Sequence, residues 1–173
     1  KVVVTGVAGF IGSNLADHLL AKGYKVLGLD NFSTGKTKFL ESANNHPNFK
    51  LIVCDLSDIN SFQDSLSGYD CVFHLAANAD VRFGLEHPRK DLEQNTLVTF
   101  NVLEAMRVNN IKKIVYSSTG SIYGESQIIP TPEDCPMPIQ TSLYAASKIS
   151  CESMIQAYCE GFEFQSWIFR FVS

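Results

Sequence analysis

The sequence has few of the features that mark membrane proteins and nucleic-acid-binding proteins. Its longest apolar runs are far too short to cross a bilayer, and no stretch concentrates Lys and Arg. A formal net charge of −4 over 173 residues argues further against a nucleic-acid surface. The chain does not open with a positively charged leader and an apolar stretch. We therefore expect a soluble, cytoplasmic protein that binds neither membrane nor nucleic acid.

Disulfide and metal-ligand spacings are also missing. The cysteines are an odd number without a CxxC pair, which favours reduced thiols in a reducing compartment: Cys54, Cys71, Cys135, Cys151 and Cys159. The histidines have no ligand spacing either: His18, His46, His74 and His87. We expect no metal site.

What the sequence does contain is a regular alternation of short apolar runs and amphipathic segments, with 45% hydrophobic residues overall. This pattern is typical of βαβ units and predicts one α/β domain, a doubly wound (Rossmann) parallel sheet with helices on both faces. The predicted strands are 2–5, 24–29, 49–53, 71–75, 111–116 and 164–171, and the predicted helices are 11–22, 59–66, 92–108 and 143–159. Four prolines within 129–138 predict an irregular loop.

The two ends of the sequence suggest a longer protein. It begins without Met and stops at Ser173, directly after a predicted strand. We expect residues 1–173 to be the N-terminal fragment of a larger enzyme.

Three glycines follow the first strand and open the first helix, at Gly6, Gly9 and Gly12. In this context Gly6 permits a sharp turn, Gly9 leaves room for a pyrophosphate, and Gly12 allows the helix to pack closely on the sheet. The helix N-terminus offers free N–H groups to phosphates. The turn predicts a dinucleotide site, although an ordinary tight turn remains the alternative.

Acidic and small residues end the next strands. Asp30 can accept hydrogen bonds from ribose hydroxyls and would repel a 2′-phosphate, which favours NAD over NADP; a solvated strand end is the alternative. Asp55 and Leu56 would lie at the adenine edge. For His74 we favour a hydrogen-bonded core histidine over a ligand.

A second group of residues indicates chemistry. Hydroxyl residues 117–119 follow the fifth predicted strand, and Tyr144 begins a helix with Lys148 one turn later. A nearby ammonium should lower the pKa of the Tyr144 phenol, and Thr119 could share a substrate oxygen with it. A plain polar turn remains the alternative for 117–124.

These motifs together resemble the extended short-chain dehydrogenase/reductase family, in its nucleotide-sugar epimerase/dehydratase branch. The resemblance covers nearly the whole chain and is carried by TGxxGFIG at 5–12, Asp30-Asn31, Asp55-Leu56, HLAA at 74–77, Asn95, the SST…YG run at 117–124 and YxxxK at 144–148.

The resemblance implies a role for each matched position. Thr119, Tyr144 and Lys148 would be catalytic, with Tyr144 as the general base. The cofactor, NAD, would be held by Gly6, Gly9, Phe10, Ile11, Gly12, Asp30, Asn31, Phe32, Ser33, Thr34, Gly35, Asp55, Leu56, Leu75, Ala76, Ala77, Gln94, Asn95, Ser117, Tyr144 and Lys148. Members of this branch add a C-terminal substrate domain, and many pair as homodimers through helices such as the one at Tyr144.

Two departures bear on the reaction. Family dehydratases carry Asp-Glu after the catalytic Ser or Thr, but this chain has Gly120 and Ser121, which favours a UDP-glucose 4-epimerase-like activity on a UDP-sugar. Val172-Ser173 stands where epimerases often have Phe-Asn, which leaves the sugar open. The alternatives are a reductase, a decarboxylase, an epimerase at another carbon, or a non-catalytic NAD-binding module.

Overall fold

The structure is a computed structural model that describes residues 1–80, 82–136 and 139–172. Within these ranges six parallel strands form one sheet in the order β3-β2-β1-β4-β5-β6. The strands are β1 (Val2–Thr5), β2 (Val26–Asp30), β3 (Phe49–Val53), β4 (Cys71–His74), β5 (Lys113–Thr119) and β6 (Gln165–Phe171). The predicted doubly wound parallel sheet is confirmed.

Helices cover both faces of the sheet. They are α1 (Phe10–Ala21), α2 (Glu41–Asn44), α3 (Phe83–Glu86), α4 (Pro88–Asp91), α5 (Val98–Val108) and α6 (Leu143–Phe162). Every residue of β1 is buried, as a central strand covered on both faces requires. Its side chains alternate: Val3 packs in the core cluster that includes Met106 of α5 and Ile155 of α6, whereas Val4 packs in the cluster that includes Leu19 of α1.

The order of the strands reverses between β1 and β4. The chain moves from β1 outward to β2 and β3, and then returns to the other side of β1 for β4, β5 and β6. In open α/β sheets, ligands bind at such a point, outside the carboxyl ends of the strands. We therefore expect a ligand site at the carboxyl ends of β1, β2, β4 and β5.

Several predicted elements have different bounds in the structure. β5 runs to Thr119, so that the hydroxyl residues 117–119 lie in the strand and do not follow it. The predicted helix at 59–66 is two single 3₁₀ turns, Ile59–Ser61 and Gln63–Leu66. Polar side chains explain the second difference, because the Asp58 carboxylate accepts a bond from Asn60 N–H and favours a turn.

The predicted helix at 92–108 starts earlier and is not regular. It begins with Pro88, a residue suited to the first turn because it has no N–H to leave unpaired. Residues Leu92–Leu97 then form a π-helical turn before α5. Such turns are frequent at functional sites, and this one carries Gln94 and Asn95.

Two predictions touch residues outside the described ranges. Residues 129–136 of the proline-rich loop contain neither helix nor strand, while 137 and 138 lie outside the described part. Ser173 lies outside it too. Among the helices that are described, none combines the length and apolar character needed to span a bilayer.

Candidate functional site

A cleft of about 340 Å³ opens at the carboxyl ends of β1, β2 and β4, where the strand order reverses. Its volume falls within the range of small-molecule sites. The cleft is lined by Gly6, Gly9, Phe10, Ile11, Gly12, Leu29, Asp30, Asn31, Ser33, Thr34, Gly35, Cys54, Asp55, Leu56, Leu75, Ala76, Ala77, Ala79, Gln94, Val98 and Ser117.

Most residues predicted to bind a cofactor line this cleft, but four do not: Phe32, Asn95, Tyr144 and Lys148. Four residues that line it were not predicted: Leu29, Cys54, Ala79 and Val98. Leu29 and Cys54 flank predicted residues along the chain, so adjacency to Asp30 and Asp55 was the available signal. Nothing in the sequence distinguishes Val98 from its neighbours on the helix.

The glycine turn has the geometry that the sequence predicts. Gly6 has φ +66°, and a Cβ there would lie 2.8 Å from Ala76 N. A Cβ on Gly12 would collide with the Gly6 carbonyl oxygen and lie 2.9 Å from Val7 Cα. Gly12 thus allows α1 to approach the turn itself, whereas we predicted an approach to the sheet.

The N-terminus of α1 faces the cleft without a side-chain cap. Its N-cap residue is Gly9, and its first turn contains no acidic residue. Phe10 is 77% exposed and borders the cleft beside these backbone N–H groups. A helix N-terminus of this kind is a suitable site for a phosphate group.

Asp30 ends β2 and organises the neighbouring backbone. Its Oδ2 accepts a bond from Ala8 N–H at 2.8 Å, and its Oδ1 accepts one from Phe32 N–H at 2.8 Å. Phe32 has φ +56°, and Gly35 lies close enough to Ala8 that a Cβ would be 2.7 Å from Ala8 Cβ. The carboxylate therefore ties the 30–35 loop to the glycine turn and keeps lone pairs for a ribose hydroxyl.

Asp55 lines the cleft beside Asn31, whose Nδ2 donates to the Asp55 carboxylate at 3.4 Å. Hydrogen bonds from Ser57 hold the pKa of Asp55 below its usual value. Leu56 is buried.

His74 is a core histidine, as we favoured. Its Nδ1 lies 2.7 Å from Thr5 Oγ1 and its Nε2 lies 3.0 Å from Thr99 Oγ1. Thr5 Oγ1 also accepts bonds from Leu75 N–H and Ala76 N–H, so its own proton goes to His74. Burial, together with the smaller effect of the Lys148 charge, lowers the pKa of His74 to about 3. This chain of bonds fixes the floor of the cleft.

Asn95 is 1% exposed and acts as a connector beside the cleft. Its Oδ1 accepts from Asn78 N–H at 2.8 Å, and its Nδ2 donates to Ser147 Oγ at 2.9 Å. It therefore joins the segment after β4 to α6.

Thr119, Tyr144 and Lys148 meet at the end of β5, and we call these three residues the Tyr144 corner. Lys148 is 2% exposed, and its Nζ donates to the carbonyl oxygen of Ser117 at 2.9 Å. The ammonium lies 5.9 Å from the centre of the Tyr144 ring. Because Ser117 lines the cleft, the corner adjoins it directly.

The pKa of Tyr144 differs from our prediction. We predicted that Lys148 would lower it, but burial raises it above its usual value, against a hydrogen bond with Thr119 that acts in the lowering direction. The Lys148 ammonium is directed to the Ser117 carbonyl and not to the phenol. Burial also lowers the pKa of Lys148 to about 8, while Cys151 and Glu152 act in the opposite direction.

Comparison with known proteins identifies the family. Residues 2–173 match the model of the NAD dependent epimerase/dehydratase family. The chain belongs to that family. UDP-glucose 4-epimerase of Mycolicibacterium smegmatis is 38% identical over 161 residues, which cover 91% of this chain and 51% of the relative. The structure of Thermus thermophilus UDP-glucose 4-epimerase in complex with NAD matches with a TM-score of 0.89 and 36% identity, over 98% of this chain and 54% of that chain.

Not all members that resemble this chain share one reaction. UDP-N-acetyl-alpha-D-glucosaminuronate decarboxylase of Bacillus cytotoxicus is 33% identical over 165 residues, which cover 95% of this chain and 50% of the relative. The chain spans about half the length of the curated relatives it matches. The prediction of NAD as the cofactor is confirmed by the family and by neighbours solved with NAD.

The residues that line the cleft of this chain fit NAD. The glycine turn has no side chain that would block a pyrophosphate, and the N–H groups of α1 face the cleft. Asp30 lines the cleft at the end of β2, at the position suited to an adenosine ribose.

Proposed function

We propose that the full-length protein epimerises a nucleotide sugar at C4, with a UDP-hexose as substrate and a 4-keto sugar as intermediate. The observation that carries the proposal is the junction of the Tyr144 corner with the cleft through the bond from Lys148 Nζ to Ser117 O. Bound NAD would supply the chemistry of accepting a hydride from the sugar and returning it.

The proposed role of Tyr144 is to take the proton from the C4 hydroxyl and later to return it. General acid–base catalysis needs the phenol within hydrogen-bond reach of that hydroxyl, and Tyr144 is only partly buried. Thr119 acts to lower the pKa of Tyr144 and could share the same sugar oxygen. Lys148 would hold the ribose next to the reacting ring, beside the Ser117 carbonyl that its ammonium binds.

The residues after Thr119 support epimerisation over water elimination. Gly120 begins a 3₁₀ turn, and Thr119 Oγ1 accepts a bond from Ser121 N–H at 3.1 Å to close it. A Cβ on Gly120 would collide with Val172 Cγ1. The chain therefore offers no carboxylate at these two positions.

The test is Tyr144→Phe in the full-length protein, assayed by interconversion of UDP-glucose and UDP-galactose. We expect turnover to fall by about 10²- to 10⁴-fold, as loss of a general acid–base group does, while the amount of bound NAD stays unchanged. The control is Tyr24→Phe, because Tyr24 is 46% exposed and lies outside the cleft lining. Turnover retained by Tyr144→Phe would contradict the proposal.

A second assay addresses the reaction type. An epimerase regenerates NAD in each cycle and shows no net NADH, whereas a reductase consumes NADH in proportion to product. The wild-type protein should convert at least one sugar of a panel of UDP-glucose, UDP-glucuronate and UDP-N-acetylglucosamine without net change in NADH absorbance.

The proposed C-terminal substrate domain and homodimer stay predictions, as does the cytoplasmic location.

A further inference from the structure

A buried ion pair lies directly behind the Tyr144 corner. Glu152 of α6 has a side chain that is 3% exposed, and Arg170 of β6 has one that is 21% exposed. Arg170 Nη2 donates to Glu152 Oε2 at 2.9 Å, and Arg170 Nε donates to Oε1 at 3.2 Å. The guanidinium thus binds the carboxylate with two parallel bonds, which fixes orientation as well as distance.

Glu152 also reaches β5. Its Oε1 accepts a hydrogen bond from Ser118 Oγ, within the strand that carries Ser117 and Thr119. Tyr144, Lys148 and Glu152 are spaced four residues apart on α6 and so share one face of the helix. Two consecutive residues of β5 are therefore bonded to two consecutive turns of α6, Ser117 to Lys148 and Ser118 to Glu152. Thr119, the next residue of β5, influences the pKa of Tyr144 one turn earlier on α6.

Arg170 extends the same network to the segment between β5 and α6. Its Nη1 donates to Tyr123 Oη at 2.6 Å and to the carbonyl oxygen of Glu133 at 2.8 Å. The guanidinium carbon lies 5.2 Å from the centre of the Tyr123 ring, and Tyr123 Oη donates to the same Glu133 carbonyl at 3.1 Å. One guanidinium therefore connects β6, α6 and the segment that leads into Tyr144.

Stability alone is a weak reason for such a pair. The free energy needed to remove two charges from water is about as large as the free energy of their attraction. Apolar replacements of buried pairs are therefore often neutral or stabilising. What the pair does supply is a single geometry for the groups bonded to it. We propose that Glu152 and Arg170 are positioning residues, which hold α6 in register with β5 so that Tyr144 and Lys148 meet Thr119; this inference rests on the function proposed above.

The charge of Glu152 has a second effect on the corner. The titratable groups that face Lys148 are His74 on β4, Tyr116 on β5 and, on α6, Tyr144, Cys151 and Glu152. Burial lowers the pKa of Lys148 to about 8, and Cys151 and Glu152 oppose that shift. Removal of the carboxylate charge should therefore lower the pKa of Lys148 further, so that its charge is lost at a lower pH.

The experiment compares Glu152→Gln with Glu104→Gln in the full-length protein. Glu104 is a matched control, because it pairs with Arg107 at 2.8 Å on α5 and accepts a bond from Tyr158 Oη, outside the cleft lining. We expect Glu152→Gln to lower kcat by about 10- to 100-fold, as a small misplacement of catalytic groups does. KM and bound NAD should change little, and the alkaline limb of the kcat–pH profile should move to lower pH.

Two further measurements separate the possible failures. Titration of Lys148 by NMR needs no substrate, and its pKa should fall in Glu152→Gln and stay unchanged in Glu104→Gln. If wild type turns over no nucleotide sugar, the proposed function fails while this titration still tests the effect on the corner.

If Glu152→Gln does not fold, Arg170→Lys keeps the charge and loses the two parallel bonds, and its kcat should fall. A kcat loss no larger than that of Glu104→Gln, or an unmoved Lys148 pKa, would overturn the inference.

Discussion

The cleft and the Tyr144 corner lie at the same edge of the sheet but are built from different groups. The cleft depends on side chains that are small or absent, as at Gly6 and Gly12, and on backbone N–H groups at the start of α1. The corner depends on the buried ionisable side chain of Lys148 and on Glu152, which is buried directly behind it. Added atoms should therefore damage the cleft, while altered charge should damage the corner.

The difference follows from what each region has to hold. A dinucleotide pyrophosphate is bound well by backbone donors and a helix dipole, which no single substitution removes. Proton transfer instead needs a group with a defined pKa, and only side chains provide one. His74 connects the two regions, because it fixes Ala76 through Thr5 and responds to the charge of Lys148.

The largest effect on the cleft should come from Gly12→Ala. The new methyl group would meet the Gly6 carbonyl oxygen and Val7 Cα, both of them backbone atoms that cannot move independently. Forced overpacking of this kind costs about 1–3 kcal/mol, which would weaken NAD binding by about 10- to 100-fold. Calorimetric titration of the full-length protein with NAD measures the loss. NAD affinity equal to that of wild type would show that the turn has more room than the structure gives it.

A smaller effect is expected from Asp30→Asn, which changes charge and not size. The amide would keep the shape, but its single oxygen could accept only one of the two charge-assisted bonds from Ala8 N–H and Phe32 N–H, and its NH₂ group would face the other donor. The preference for NAD over NADP should fall by about 10-fold, since the repulsion of a 2′-phosphate is lost.

Dissociation constants for both dinucleotides measure that preference. Asp58→Asn is the control, because Asp58 also accepts a backbone N–H bond after a strand but lies outside the cleft lining. If the ratio of the two constants stays the same in Asp30→Asn, the carboxylate does not select the cofactor.

The sequence was more informative about the cleft than about the corner. Glycine spacing after a strand and an acidic residue at the next strand end are local patterns, and the residues that they single out, Gly6, Gly12 and Asp30, line the cleft. The YxxxK spacing likewise brought Tyr144 and Lys148 to one helix face. Their environment was not local, however: burial, which raises the pKa of Tyr144, depends on packing that no short motif encodes.

Long-range pairs were missed for the same reason. Glu152 and Arg170 are 18 residues apart and meet only because β6 lies beside β5 under α6. The predicted helix at 59–66 was wrong. Its apolar spacing suggested a helix, whereas the Asn, Ser and Asp side chains there favour turns. Local polar bonds outweighed the hydrophobic pattern.

Acid pH should lower the stability of the fold through His74, the residue that connects the two regions. His74 has a folded pKa of about 3, below its ordinary value of 6.5, because burial favours the neutral ring. The unfolded chain therefore binds more protons between pH 6.5 and about 3, so stability is complete above pH 6.5 and falls as the pH drops toward 3. This one group contributes at most about 1.4 kcal/mol per pH unit to that fall.

Urea unfolding at several pH values measures the effect. His74→Gln should be less stable than wild type at pH 7, because the bonds with Thr5 and Thr99 change, and the difference should shrink as the pH falls. His18→Gln, on the exposed face of α1, should keep the wild-type slope. A difference between His74→Gln and wild type that stays constant from pH 7 to 4 would mean that His74 is not buried as a neutral ring.

The smallest effect is expected at Gly161, a glycine around which there is open space. Gly161 lies in the last turn of α6, and a Cβ there would meet nothing within 4 Å. Gly161→Ala should therefore raise the free energy of unfolding by about 0.5–1 kcal/mol, since Ala restricts the unfolded chain and favours a helix. NAD affinity should not change, in contrast to Gly12→Ala. Because the two substitutions add the same methyl group, a loss of NAD affinity in Gly12→Ala but not in Gly161→Ala would show that the space around Gly12, and not the flexibility of glycine, is what the cleft requires.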